Sequence, residues 1–383
     1  MVLKKLLQMF CVKNKDPKKK GKSIDPLWQA SHSTVNLTAN KSLLDPCSSG
    51  TGTVQWVYKH EPECSSVTSS VTRTEDGTEV NDYKSSMAKT KLGTEINDYK
   101  TFNQFDVVQD FSDHHYAKKS PGKPSKDWVK AVQSDWKLLQ KDLPESIYVR
   151  VYEDRMDLLR AAMVGPAGTP YHDGLFFFDI RFPPEYPKCP PKVHYHSGGL
   201  RLNPNLYASG KVCLSLLNTW WGNGCEKWGK ANSTMLQVLV SIQGLVLNDK
   251  PYFNEPAYKN TANTVAGEKH SLAYNQTAFL LSCKTMMYFL RKPPKHFEEL
   301  VARHFLEREG VILEACTIYM SGIVVGSSLR NVSRYDKDKS FADFKKSLGA
   351  YAKNLRTEFT ANRNRVLEMQ KAASSVDEIV PTS

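Results

Sequence analysis

Leu175-Phe176-Phe177-Phe178-Asp179-Ile180-Arg181-Phe182 puts Phe176, Phe178, Ile180 and Phe182 on one side of an extended chain, the two-residue period of a strand with a buried face. Upstream, Ile147 to Tyr152 alternates in the same way and Leu158 to Val164 is a shorter apolar run; downstream, Lys192 to His196 makes a fourth strand. The links carry Asp154, Gly165-Pro166, Gly168, Gly174 and Pro183-Pro184. They are too short for helical crossovers, so the four strands are expected to form an antiparallel sheet. Before them, Ser125 can cap a helix in which Trp128, Val132, Trp136 and Leu139 recur at helical spacing until Pro144. The plan is α+β.

Past the strands, Leu202-Asn203-Pro204-Asn205-Leu206-Tyr207-Ala208-Ser209-Gly210-Lys211-Val212-Cys213-Leu214 runs through two bends, at Pro204-Asn205 and Gly210, and delivers one thiol to the start of an apolar run. A side-chain amide eight residues before a thiol suits acyl transfer, with a thiolate to attack a carbonyl and an amide N–H to meet the oxyanion. The same pair also reads as a buried cysteine beside a turn asparagine, and the two residues alone do not separate these readings. Trp220, Trp221 and Trp228 are expected to pack the loop after Cys213, and Lys211 is a candidate for lowering the Cys213 pKa. Ser233 is the expected cap of a helix through Met235, Leu236, Leu239, Ile242, Leu245 and Val246, ended by Pro251. A helical pattern then runs from Pro256 to about Val325, broken at Pro293-Pro294, and resumes from Phe341 to Leu355.

The ends differ from the middle. Residues 1–22 hold eight Lys and one Asp, and residues 328–372 hold eleven Lys or Arg against five acids, so the net charge of +12 on 383 residues belongs to the termini. The cluster Lys18-Lys19-Lys20 suits nuclear import or weak contact with a membrane or nucleic acid. Residues 23–125 have no sustained apolar period and are expected to be largely disordered. They contain a duplication, residues 77–84 and 93–100, and an acidic-aromatic segment, 102–116, that reads equally as a solvated linker or as a piece that docks. The expected divisions are thus a basic tail 1–22, an extension 23–125, a core domain 126–292, a helical extension 293–372 and a flexible tail 373–383. The eight cysteines form no C-x-x-C pair, which argues against structural zinc. With no apolar leader at the start, the thiols are expected to be reduced, in cytoplasm or nucleus.

Residues 126 to about 292 resemble the catalytic domain of ubiquitin-conjugating enzymes, the E2 family. The resemblance is carried by Gly165-Pro166, Gly168-Thr169-Pro170-Tyr171, Gly174, Phe176-Phe177-Phe178, Phe182-Pro183, Tyr186-Pro187 and Pro190-Pro191, then Pro204-Asn205 followed eight residues later by Cys213-Leu214. The wording around Cys213, with Gly222-Asn223-Gly224 and Pro251-Tyr252-Phe253-Asn254-Glu255, is similar to the large hybrid E2/E3 branch and to plant E2s with long N-terminal extensions, some linked to phosphate homeostasis.

This resemblance implies the E2 fold and a thioester role for Cys213, with Asn205 stabilising the oxyanion. It implies ubiquitin, an E1 enzyme, substrate proteins and an E3 ligase as partners, with no metal or organic cofactor. It places Tyr186, Pro187, Lys188, Pro190 and Trp221 on E1- or E3-contact loops. Three departures stand out. Asn203 replaces the usual histidine of the turn, Lys188 replaces a phenylalanine that contacts RING-type ligases, and the usual lysine-orienting acid falls near Phe253, leaving Asp249, Asn254 or Glu255 as substitutes. Two other classes remain in view: an inactive E2-like ubiquitin-binding protein, and a cysteine hydrolase using His172, His194 or His196 as base.

Overall fold

A computed structural model of the chain describes residues 102–327, 334–336 and 339–377. The basic tail, the duplication and the rest of the chain before Phe102 lie outside the described residues. One five-stranded sheet runs in the order β1 (Phe105–Val108), β2 (Ile147–Tyr152), β3 (Arg155–Val164), β4 (Leu175–Arg181), β5 (Lys192–Tyr195). The four strands read from the sequence form the expected antiparallel meander. The fifth, β1, adds at the edge, parallel to β2. Helix α1 (Lys126–Asp142) precedes β2, α2 (Met235–Ser241) follows the Cys213 region and continues as a π-helical turn, Ile242–Val246, and three long helices close the chain: α3 (Val265–Arg291), α4 (Glu298–Met320) and α5 (Lys339–Asp377). α5 therefore carries helix five residues into the tail expected from 373.

Both faces of the sheet are covered, which is why β4 is buried along nearly its whole length. On one face Phe176, Phe178 and Ile180 pack with Val149, Val151, Leu159 and Met163, against Trp128, Val132 and Leu139 of α1 and Met235, Leu236 and Leu239 of α2. On the other, Leu175 and Phe177 meet Phe289 of α3 and Phe297 just before α4, with Phe177 edge-on to Phe289 at 4.6 Å and to Phe297 at 5.4 Å. Helix α5 joins this second core through Phe344, Leu348, Leu355 and Phe359. The helix starts follow from caps. Ser125 accepts from Trp128 N at 3.1 Å, as expected. α2 is capped by Thr234, in a reciprocal box with Gln237, rather than by Ser233. The Ser233 hydroxyl instead accepts from Gly229 N at 2.9 Å.

The acidic-aromatic segment lies on the domain, so the boundary expected at 125 falls inside ordered chain. Its destination follows from charged groups on the second face of the sheet. Arg150 lies over the Phe102 ring at 4.2 Å and donates to Asn103 O, while Arg155 donates to the carbonyls of Ala117 and Lys119. Asp113 accepts two bonds from Arg160 at 2.8 and 2.9 Å. Arg160 is fully buried and also makes a two-bond pair with Asp179, at 2.6 and 3.0 Å. Around Asp179 gather four histidines. His115 N donates to it at 2.7 Å, His196 Nε2 stands 3.0 Å and His114 Nε2 3.6 Å away, and the His194 ring stacks on His115 at 3.5 Å.

Burial pushes the His114 and His194 imidazoles down from 6.5 to about 4, and His115 down as well. Burial pushes the Asp179 carboxyl up, but its bonds with His196 and Arg160 outweigh this and hold it below the usual carboxylate range. A base whose folded pKa is depressed is neutral in the fold and takes up a proton on unfolding, so its stabilisation is full above its unfolded pKa of about 6.5 and is lost as pH falls towards 4. Thermal melts between pH 7.5 and 4.5 are expected to show Tm falling from about pH 6.5 downward. His114→Gln together with His194→Gln is expected to flatten that slope, and an unchanged slope in the double variant would contradict this assignment.

Candidate active site

Two reciprocal bonds hold the turn to the thiol strand. Cys213 N donates to Asn205 O at 2.9 Å, and Asn205 Nδ2 donates to Cys213 O at 2.9 Å. The fold thus brings together the two residues that the sequence singled out. The second bend is held by Gly210, whose φ of +84° disfavours other residues and whose added Cβ would meet the His194 ring at 2.0 Å. Cys213 is 1% exposed. The Lys211 ammonium lies over the Tyr207 ring, 5.3 Å from the centroid.

Asn203, where a histidine was the familiar residue, is fully buried and makes the turn's deepest contacts. Its Nδ2 donates to Tyr171 OH at 2.8 Å and to Val246 O at 2.7 Å, and its Oδ1 accepts from Asn205 N at 2.8 Å. Val246 O is a carbonyl at the end of the π-helical turn, where helical partners run out. Asn254 Nδ2 reaches the same carbonyl at 3.1 Å and Asn203 Oδ1 at 3.4 Å, while Asn254 Oδ1 accepts from Asn248 at 2.6 Å. Of the three candidates for the lysine-orienting role, Asn254 therefore has its amide turned inward onto the turn. Asp249 is exposed, its backbone carbonyl accepting from Asn275 at 2.9 Å, and Glu255 is half-buried.

The tryptophans divide. Trp228 packs as expected, its ring 5.5 Å from Tyr186 and its Nε1 donating to Pro187 O at 2.8 Å. Trp221 does not pack, being 71% exposed, although its backbone carbonyl accepts from Ser215 Oγ. Thr219 closes the loop by accepting from Leu214 N at 3.0 Å and donating to Val212 O at 2.8 Å. The Tyr186-Pro187-Lys188 loop, which has a cis Tyr186-Pro187 bond, is fixed from below by Tyr186 OH donating to Asp135 of α1. Asp135 also accepts from Met235 N at 2.9 Å, so one carboxylate ties this loop to the start of α2. Burial pushes the Asp135 pKa up, against those two bonds. Lys188 is exposed and Pro190 buried.

Of the hydrolase candidates, His172 has both ring nitrogens engaged, with Asp173 Oδ2 at 2.7 Å and Tyr319 OH at 2.9 Å. His194 and His196 belong to the cluster around Asp179. No group of three or more His, Cys, Asp or Glu able to hold a metal occurs among the described residues.

The family described as "Ubiquitin-conjugating enzyme" matches residues 131–280. The chain is 51% identical over 270 residues to "Putative ubiquitin-conjugating enzyme E2 39" of Arabidopsis thaliana, an alignment covering 67% of this chain and 83% of that one. The chain belongs to the ubiquitin-conjugating enzyme family. It is also 61% identical over 231 residues to "Probable ubiquitin-conjugating enzyme E2 26" of the same plant, covering 60% of this chain but only 42% of that relative's length. With "Dual E2 ubiquitin-conjugating enzyme/E3 ubiquitin-protein ligase BIRC6" of Homo sapiens it shares 36% identity over 252 residues, 61% of this chain and 5% of that protein. The two family branches that the sequence resembled are thus both among its relatives.

Proposed function

We propose that this chain accepts the C-terminal carbonyl of ubiquitin from an E1 enzyme as a thioester on Cys213 and passes it to a substrate lysine. The observation that carries the reading is the pair of bonds between Asn205 and Cys213. In loading, the Cys213 thiolate attacks the E1-bound thioester, a new carbon–sulfur bond forms and the E1 thiolate leaves. In discharge a neutral lysine amine attacks, an amide bond forms, the amine proton is lost and Cys213 leaves as thiolate. Asn205 Nδ2 has two N–H groups; one is held by Cys213 O, and the second serves the oxyanion. Since only 1% of Cys213 is exposed, its cover must part to admit the carbonyl. No cofactor is needed beyond the ATP that E1 uses. Asp249 and Glu255 are the two carboxylates left to orient the lysine, and Lys188 makes ordinary RING docking unfavourable, so transfer without a separate E3 is part of the proposal.

The test is incubation with E1, ATP and ubiquitin, which is expected to give an adduct that thiol reductants remove; no adduct would favour the inactive ubiquitin-binding reading. Asn205→Ala is expected to load and then discharge to free lysine about 10²–10³-fold more slowly. Discharge at the wild-type rate would remove Asn205 from the chemistry.

A further inference from the structure

The bend that leads into Cys213 rests on the end of β5. Tyr195 N donates to Gly210 O at 2.8 Å, Ser197 Oγ donates to Ala208 O at 2.6 Å, and His194 faces Lys211 in an antiparallel bridge. The His194 ring lies directly against Gly210, where an added Cβ would come within 2.0 Å of the ring's Cε1. On that ring stacks His115, with centroids 3.5 Å apart and planes 5° from parallel. One imidazole therefore touches both the bend before the nucleophile and the acidic-aromatic segment that crosses the sheet. Among the described residues nothing hydrogen-bonds to the ring nitrogens of His194, so face and edge contacts set where the ring lies.

His115 is itself exposed, yet the chain on either side of it is pinned. Its own N–H donates to Asp179 Oδ2 at 2.7 Å, and the buried His114 before it has Nε2 3.1 Å from Leu159 O. Asp113 takes two bonds from Arg160, and Arg155 holds the carbonyls of Ala117 and Lys119. Burial keeps both stacked rings neutral, so no like charge opposes the stack. We propose that His115 is a positioning residue for transfer at Cys213: by covering the His194 ring it fixes the surface on which the Gly210–Lys211 bend rests. The inference is built on the thioester reading above. His115 touches neither thiol nor substrate and acts through His194. Once uncovered, the His194 ring can swing into the space that His115 filled, and the bend it supports, two to three residues before Cys213, shifts with it. A small displacement there moves the thioester carbonyl off the line of attack, where rate is most sensitive to position.

The experiment uses the full chain. Wild type, His115→Ala, His115→Phe, His194→Gln and the His115→Ala/His194→Gln double variant are loaded with E1, ATP and ubiquitin, freed of E1, and followed in single-turnover discharge across a range of lysine concentrations. His115→Ala is expected to lower the maximal discharge rate about tenfold, with little change in the lysine concentration for half-maximal rate. His115→Phe restores a flat ring that stacks and is expected to regain most of that rate. In the His194→Gln background, His115→Ala is expected to change the rate by a factor of about one, because its route has been removed. Lys295→Ala is the control for stability: it removes the bonds to Asp110 and Ser112, loosening the same segment without touching His194, and should discharge at the wild-type rate. Wild-type discharge by His115→Ala, an equal loss in the two backgrounds, no rescue by His115→Phe, or equal slowing by Lys295→Ala would each overturn the proposal and leave the Cys213 assignment intact. If His194→Gln does not fold, the comparison of His115→Ala with His115→Phe decides. Absence of an adduct in wild type would overturn the thioester reading and this inference together.

Discussion

Cys213→Ser is expected to turn the E1-dependent adduct from one that thiol reductants remove into one that resists them, and to stop its discharge to lysine on the time scale of the wild type. A serine oxygen in the same place still reaches the carbonyl, but a hydroxyl is a far weaker nucleophile than a thiolate and its ester a far poorer acyl donor to an amine. The substitution replaces sulfur by a smaller oxygen within a turn held by backbone bonds, so it leaves the Asn205–Cys213 pairing in place. Two of the other described thiols cannot take over. Cys283 and Cys316 are fully buried, and the Cys283 thiol is pushed well up by its hydrogen bond with Cys316 and by burial, so it stays protonated and inert. Cys189 is only half-buried, and Cys189→Ser is the matching control: its adduct should remain thiol-sensitive. The measurement is a non-reducing gel with and without reductant. A thiol-sensitive adduct on Cys213→Ser would place the acyl group elsewhere.

The strands, the Ser125 cap and the Asn205–Cys213 pair were legible because each depends on residues close in the chain, through a two-residue period, a cap three residues from its donor, and a turn of eight residues. What held the turn was not. Asn203 meets Tyr171 and Val246, 32 and 43 residues away, and only the finished fold makes them neighbours. Likewise the segment 102–116 showed its acids and aromatics, but whether it docked depended on Arg150, Arg155 and Arg160 presenting cations on the second sheet face, which alternation alone does not announce. Ser233 was the expected cap and Trp221 an expected packing residue; that Thr234 caps α2 and Trp221 stands exposed turns on backbone direction, which composition does not carry.

Asp179→Ala is expected to destabilise the fold by roughly 3 kcal/mol, the lower end of the cost of removing one partner from a buried ion pair. The carboxylate is fully buried and serves several donors at once: Arg160 through two bonds, His115 through its backbone N–H, with His196 and His114 beside it. Its loss leaves the fully buried Arg160 guanidinium with Asp113 as its remaining carboxylate. That residual pair is why the lower end of the range applies. Asp113 belongs to the segment that crosses the sheet before α1, so the same substitution shifts the whole load of Arg160 onto that segment. Thermal melts of Asp179→Ala at pH 7.5 should therefore show a drop of several degrees. No drop would deny the buried pair its structural role.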